Sequence, residues 1–134
     1  MERLILDTIL ISVERARHDL GDAVGDDDDA AIAAIAAITV AELLVGLELA
    51  TARRRSHREA LVRDLLAGLT VEDYTAETAR AHATLLVATR RQGRPQGGHD
   101  LIIAATALAT GRAVVTTNAR GFADLPGVEV RSVT

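Results

Sequence analysis

A chain of 134 residues, 49% of them hydrophobic, has room for one core and one site but not for two independent cores. It contains no cysteine, which excludes disulfides, thiolate zinc sites and cysteine nucleophiles together, so any metal must be held by oxygen or imidazole. A net charge of −4 gives no global basic field for nonspecific nucleic-acid binding. A single Tyr and a single Phe argue against a base-stacking platform, and fifteen basic residues that are all Arg exclude lysine chemistry.

Leu4, Ile5 and Leu6 form a continuous apolar run ending on Asp7, the pattern of a buried parallel strand that delivers a side chain at its carboxyl end. Thr8 to Ala16 reads as a helix. Gly21 to Asp29, with two Gly and five Asp, reads as a solvated loop; its Asp26–Asp29 run lacks the Gly and closing Glu of a calcium loop. The Ala-rich stretch Ala30 to Ile38 suits a helix by propensity and a buried strand by its place. From Val40 to Ala50 apolar residues point in nearly all helical directions, which predicts a helix buried all round with Glu42 as an acid inside the core.

Ala52 to Leu69 is amphipathic and opens with Arg53, Arg54, Arg55 and Arg58, while Thr70 to Tyr74 suits a short strand. Glu77 to Arg91 is another amphipathic helix, stopped by the turn-rich Gly93, Arg94, Pro95, Gln96, Gly97 and Gly98. Asp100 begins an apolar, buried helix that ends near Gly111. Ala113 to Thr117 is a strand ending at Asn118, and Val128, Val130 and Val133 suggest a last strand. No apolar stretch approaches the roughly 18 residues of a membrane span, so a soluble cytoplasmic protein is expected. The alternation favours an α/β three-layer domain over residues 1–134, with a mainly parallel sheet between helices and its ligand site at the strands' carboxyl ends.

Asp7 and Asn118 each follow an apolar strand, and Glu42 and Asp100 lie in or at the start of apolar helices. Buried carboxylates are costly unless paired, protonated or metal-bound, and a shared divalent cation explains them together. Carboxylate oxygens with an Asn carbonyl suit Mg²⁺, with Mn²⁺ as a substitute. Such a cluster serves the two tasks of phosphoryl-transfer metals: activating water and clamping the nonbridging oxygens of a phosphodiester. Thr8, Thr116 and Thr117 suit the orientation of the carboxylates by hydrogen bonding.

Four blocks then stand out: Leu6-Asp7-Thr8; Ile38-Thr39-Val40-Ala41-Glu42-Leu43; His99-Asp100-Leu101-Ile102-Ile103-Ala104-Ala105; and Thr116-Thr117-Asn118 with Phe122 and Pro126-Gly127. In this order, across essentially the whole chain, they resemble the PIN-domain ribonucleases of the VapC toxin type. The resemblance implies a parallel sheet between helices, with Ile35 to Ile38 as the second strand. It implies a metal-dependent endoribonuclease, the toxin half of a toxin–antitoxin pair, cutting RNA such as tRNA or ribosomal RNA. Asp7, Glu42 and Asp100 then fall at the metal site. The family's fourth acidic position falls on Asn118, which is counted with the catalytic set but brings one negative charge fewer. A small cognate antitoxin and a homodimer are the expected partners.

Each assignment has a plainer rival. Asp7 and Asp100 suit helix N-caps, and Glu42 suits a neutral core acid hydrogen-bonded to Thr8 or Thr117. The Arg53–Arg58 cluster suits a solvated face pairing with Glu48, Glu59 or Glu77, which leaves Arg94, nearer to Asp100 in sequence, as the better substrate contact. His99 is expected as a surface residue at a helix start. Alternatives to the toxin are a PIN nuclease of RNA processing and a metal-poor module that only binds RNA or protein.

Overall fold

The computed structural model describes residues 2–7, 33–94 and 97–132, so the expected helix at Thr8–Ala16, the Asp-rich loop, Thr8 and Val133 lie outside the described residues. Strand β1 is Leu4–Leu6 and β2 is Ala33–Ala36, followed directly by helix α1, Ala37–Glu48. Helix α2, Ala52–Gly68, leads into β3, Thr70–Glu72; α3, Ala76–Gln92, and α4, Gly98–Thr110, follow before β4, Ala113–Thr116. A single 3₁₀ turn, Ala119–Phe122, precedes β5, Val130–Ser132.

The five strands run in the order β3-β2-β1-β4-β5, and all four neighbouring pairs are parallel. Residue alternation along the strands divides the core. Leu4, Leu6, Ala33, Ile35, Ala113 and Val115 face α1 and α2 with Leu65 and Leu69. Ile5, Ala36 and Val114 face the other way, onto Leu85 of α3 and Leu101, Ile103 and Ala104 of α4. The chain leaves central β1 in one direction to β2 and β3 and in the other to β4 and β5. That reversal falls between β1 and β4, and such sheets bind ligands in the crevice beyond the carboxyl ends of the strands at that point.

Two expectations need correction. The second strand ends at Ala36, so Ile38 belongs to α1 rather than to the strand. Helix α1 is not buried all round: Thr39 is its buried residue, whereas Val45 is 56% and Leu49, just past its end, 80% exposed. Val40 and Leu43 pack on the core while the opposite side stays open. Apolar residues around a helix record that its faces want cover, without saying that this chain supplies it. Glu42 accordingly is not a core acid, its side chain being 29% exposed.

The remaining helix ends follow local chemistry. Thr75 and Thr78 form a reciprocal capping box at the start of α3, and Gly93 and Gly111 close α3 and α4 in the left-handed conformation. Among the described residues, no helix is long and apolar enough to cross a membrane.

Candidate active site

Asp7 is buried at the mouth of β1, its backbone N–H donating to the Val115 carbonyl at 2.9 Å as the last rung between β1 and β4. The Thr116 hydroxyl, fully buried at the end of β4, donates to Asp7 Oδ2 at 2.7 Å. The same hydroxyl oxygen accepts the Asn118 backbone N–H at 2.9 Å, so one threonine fixes both a carboxylate and the turn that leaves the strand. Thr117 is exposed and Thr8 lies outside the described residues.

Asp100 sits in the first turn of α4. It is not the helix cap, because that position is Gly97 and no side chain bonds there. Its carboxyl is held above the ordinary 3.8, first by burial and then by the negative charges of Asp7 and Glu42, with His99 pulling the other way. Acids from two other elements therefore both stand near enough to Asp100 to act on it. Glu42 extends from α1, and His99 Nδ1 stands 3.4 Å from its Oε1.

The 3₁₀ turn closes on this group from the β4 side. A Cβ at Gly121 would stand 2.7 Å from Asp100 Oδ2 and 3.2 Å from Asn118 Nδ2, so any side chain there would require the Asp100 carboxylate to move from where it stands. Asn118 is exposed and turns its amide nitrogen toward the same spot as the Asp100 oxygen. Sequence reasoning passed over Gly121, although a glycine three residues after a strand-end Asn signals close backbone approach. It left His99 as a surface residue, and the ring is 58% exposed; contact with Glu42 came from packing of α4 on α1, which spacing does not encode.

The donor set fits a hard divalent cation, since three carboxylates offer oxygens and their mutual repulsion is what a cation relieves. As placed, no group of three or more His, Asp or Glu side chains among the described residues is close-set enough to hold a metal ion. Coordination by all three would require Asp7, Glu42 and Asp100 to draw closer than they stand. Arg94 is engaged elsewhere, paired with the carboxylate of Asp124, and Arg55 pairs with Glu48 at 3.2 Å as the solvated-face reading expects.

The PIN domain family model matches residues 4–128. A tRNA(fMet)-specific endonuclease VapC of Salmonella typhimurium is 34% identical over 96 residues, covering 72% of this chain and 71% of that protein. Ribonuclease VapC2 of Haemophilus influenzae is 30% identical over 122 residues, 91% of each chain. The crystal structure of DNA-bound VapBC from Salmonella typhimurium superposes with a TM-score of 0.78 at 28% identity, covering 98% of each chain. The parallel sheet, its crevice and these likenesses agree: the chain belongs to the PIN domain family and, within it, stands with the VapC proteins.

Proposed function

We propose that this chain is a divalent-metal-dependent endoribonuclease, the toxin of a toxin–antitoxin pair. The observation that carries the reading is the gathering of three acids beyond the ends of β1 and β4: Asp7 held by Thr116, Asp100 against Gly121 and Asn118, and Glu42 beside His99, the chain neighbour of Asp100. The ribonuclease names of its relatives and their VapBC assemblies support it. Asp7, Glu42 and Asp100 would hold the ion, Mg²⁺ by preference with Mn²⁺ as a substitute, because hard oxygen donors select hard cations. When bound, such an ion supplies a polarised water and charge neutralisation at a phosphodiester.

The chain's own residues prepare that site. Thr116 orients Asp7 by its 2.7 Å hydrogen bond. Gly121 lets the turn lie against Asp100, and Asn118, one negative charge short of an acid, places a neutral amide beside it. The substrate would be RNA, with tRNA or ribosomal RNA as the classes to test, and the partners a small antitoxin and a second copy of this chain.

Purified protein incubated with RNA in Mg²⁺ is expected to cut it, and chelation by EDTA to stop the cutting. Asp7→Asn and Asp100→Asn should each lower cleavage at least about a hundredfold with unchanged circular dichroism, since each removes a charge the ion requires and little packing. Near wild-type cleavage by either variant overturns the metal assignment. The amide of Asn118 favours one second reading, a module that binds RNA or protein without cutting it. Calorimetry showing no Mn²⁺ binding to the wild type would select that reading.

A further inference from the structure

Arg54 and Arg58 stand one turn apart on the same face of α2, an i, i+4 pair of like charge. Both lie in the first two turns of a helix whose first turn holds no acidic residue, at the end where the backbone dipole is already positive. Folding gains nothing from either charge there. Both are exposed and, among the described residues, neither forms an ion pair, whereas Arg55 holds Glu48 and Arg94 holds Asp124.

Arg58 crosses onto α1. Its Nη1 lies 3.7 Å from where a Cβ of Gly46 would stand, in the gap that a glycine leaves on the helix surface. Gly46 follows Glu42 by four residues, which puts it on the same face of α1 about 6 Å further along the axis. A guanidinium without an acidic partner among the described residues is thereby held one helical turn from the acid of α1 that belongs to the candidate site.

We infer that Arg58 and Arg54 form a phosphate-binding track for single-stranded RNA, leading across Gly46 to the carboxylates. The inference rests on the nuclease reading above, and names where that substrate lies. A chain of net charge −4 with an acidic crevice repels a polyanion, so productive docking needs cations placed locally beside the site. Guanidinium forks match phosphate oxygens bidentately, and a phosphate between Arg54 and Arg58 removes the repulsion that the bare helix carries. Arg94, with its Asp124 partner, has less charge to offer.

The test measures binding apart from cutting. A labelled single-stranded RNA oligonucleotide is titrated in EDTA with wild type, the Arg54→Gln/Arg58→Gln double variant, and Arg63→Gln, an exposed arginine further along α2. Gln keeps helix propensity, and circular dichroism checks the fold. The double variant is expected to bind about tenfold more weakly and to lose about 1.4 from the slope of log affinity against log salt, about 0.7 for each phosphate released. Arg63→Gln should bind as wild type does. In Mg²⁺ the double variant should raise KM and spare kcat.

Unchanged affinity and slope in the double variant overturn the track, as does an equal loss in Arg63→Gln, which would mean diffuse charge. Unchanged RNA binding with weakened binding of an acidic protein partner gives this face to the partner and also overturns it. Should Asp7→Asn cut RNA like wild type, the metal reading fails while the binding result stands by itself.

Discussion

The carboxyl of Asp100 is where the folded chain and the proposed chemistry pull against each other. Burial and two neighbouring acids hold it above 3.8, so the folded state binds that proton more tightly than the unfolded chain does. The stability this group contributes is therefore fully present below its unfolded value and is lost as pH rises through the raised folded one. Above that raised value the ionised carboxylate is a standing cost to the metal-free fold. Asp100→Asn is expected to raise the Tm of metal-free protein by a few degrees at pH 7, with the gain shrinking as the pH is lowered toward 4. Added Mg²⁺ should raise the wild-type Tm and leave the variant's nearly unmoved. A variant that melts at or below the wild-type temperature at pH 7 would show that the repulsion is not felt. Asp7 and Asp100 were legible in the sequence because an acid against an apolar run stands out at any scale. Glu42 was legible as a residue and misread in its surroundings, since an apolar helix says nothing about which side is covered.

At the scale of elements, the end of β4 does more than its two-residue turn suggests. Thr116, itself fully buried, donates to Asp7 and accepts from Asn118. Thr116→Val keeps the shape and deletes both bonds, leaving a carboxylate oxygen and a backbone N–H without that partner. A loss of about 1–3 kcal/mol is expected in urea unfolding, with weakened Mn²⁺ binding, whereas Thr116→Ser should retain both. Equal stability of the Val and wild-type proteins would mean that neither bond matters to the fold. Gly121 makes the opposite case. An added methyl would press on the flexible end of Asp100 rather than on backbone, so Gly121→Ala should fold normally while Asp100 moves. Metal affinity is expected to fall roughly tenfold or more, as it does when groups orienting ligands are altered. Unaltered Mn²⁺ affinity would show that the close approach is incidental. Strand alternation and the turn-rich break at residues 93–98 made these elements readable in sequence. The end of β2 was not, because Ala and Ile serve strand and helix alike and only pairing with β1 and β3 decides.

For the molecule as a whole, alternation of apolar runs and amphipathic helices was enough to give a parallel three-layer sheet, and the order β3-β2-β1-β4-β5 puts the reversal where Asp7 and Asn118 emerge. What no periodicity encodes is the outer surface. Glu42, Val45 and Leu49 follow one another at helical spacing along α1, so an acid of the candidate site heads a stripe whose two apolar members are 56% and 80% exposed. A partner that covers this stripe lies directly over the Arg58–Gly46 crossing and reaches Glu42 with whatever it carries at that end. An acidic crevice attracts a guanidinium, so a small antitoxin is expected to dock apolar residues on Val45 and Leu49 and to insert a basic side chain toward Asp7, Glu42 and Asp100. The two contributions separate experimentally. Val45→Glu or Leu49→Glu should weaken the complex at least about tenfold while the free protein keeps its fold by circular dichroism, because both side chains are exposed and point away from the core. Removing the partner's basic residues should instead relieve inhibition while pull-down of the complex persists. Inhibition that survives loss of every Arg and Lys in the partner would defeat the inserted cation. Full binding to Leu49→Glu together with Val45→Glu would move the docking face off α1.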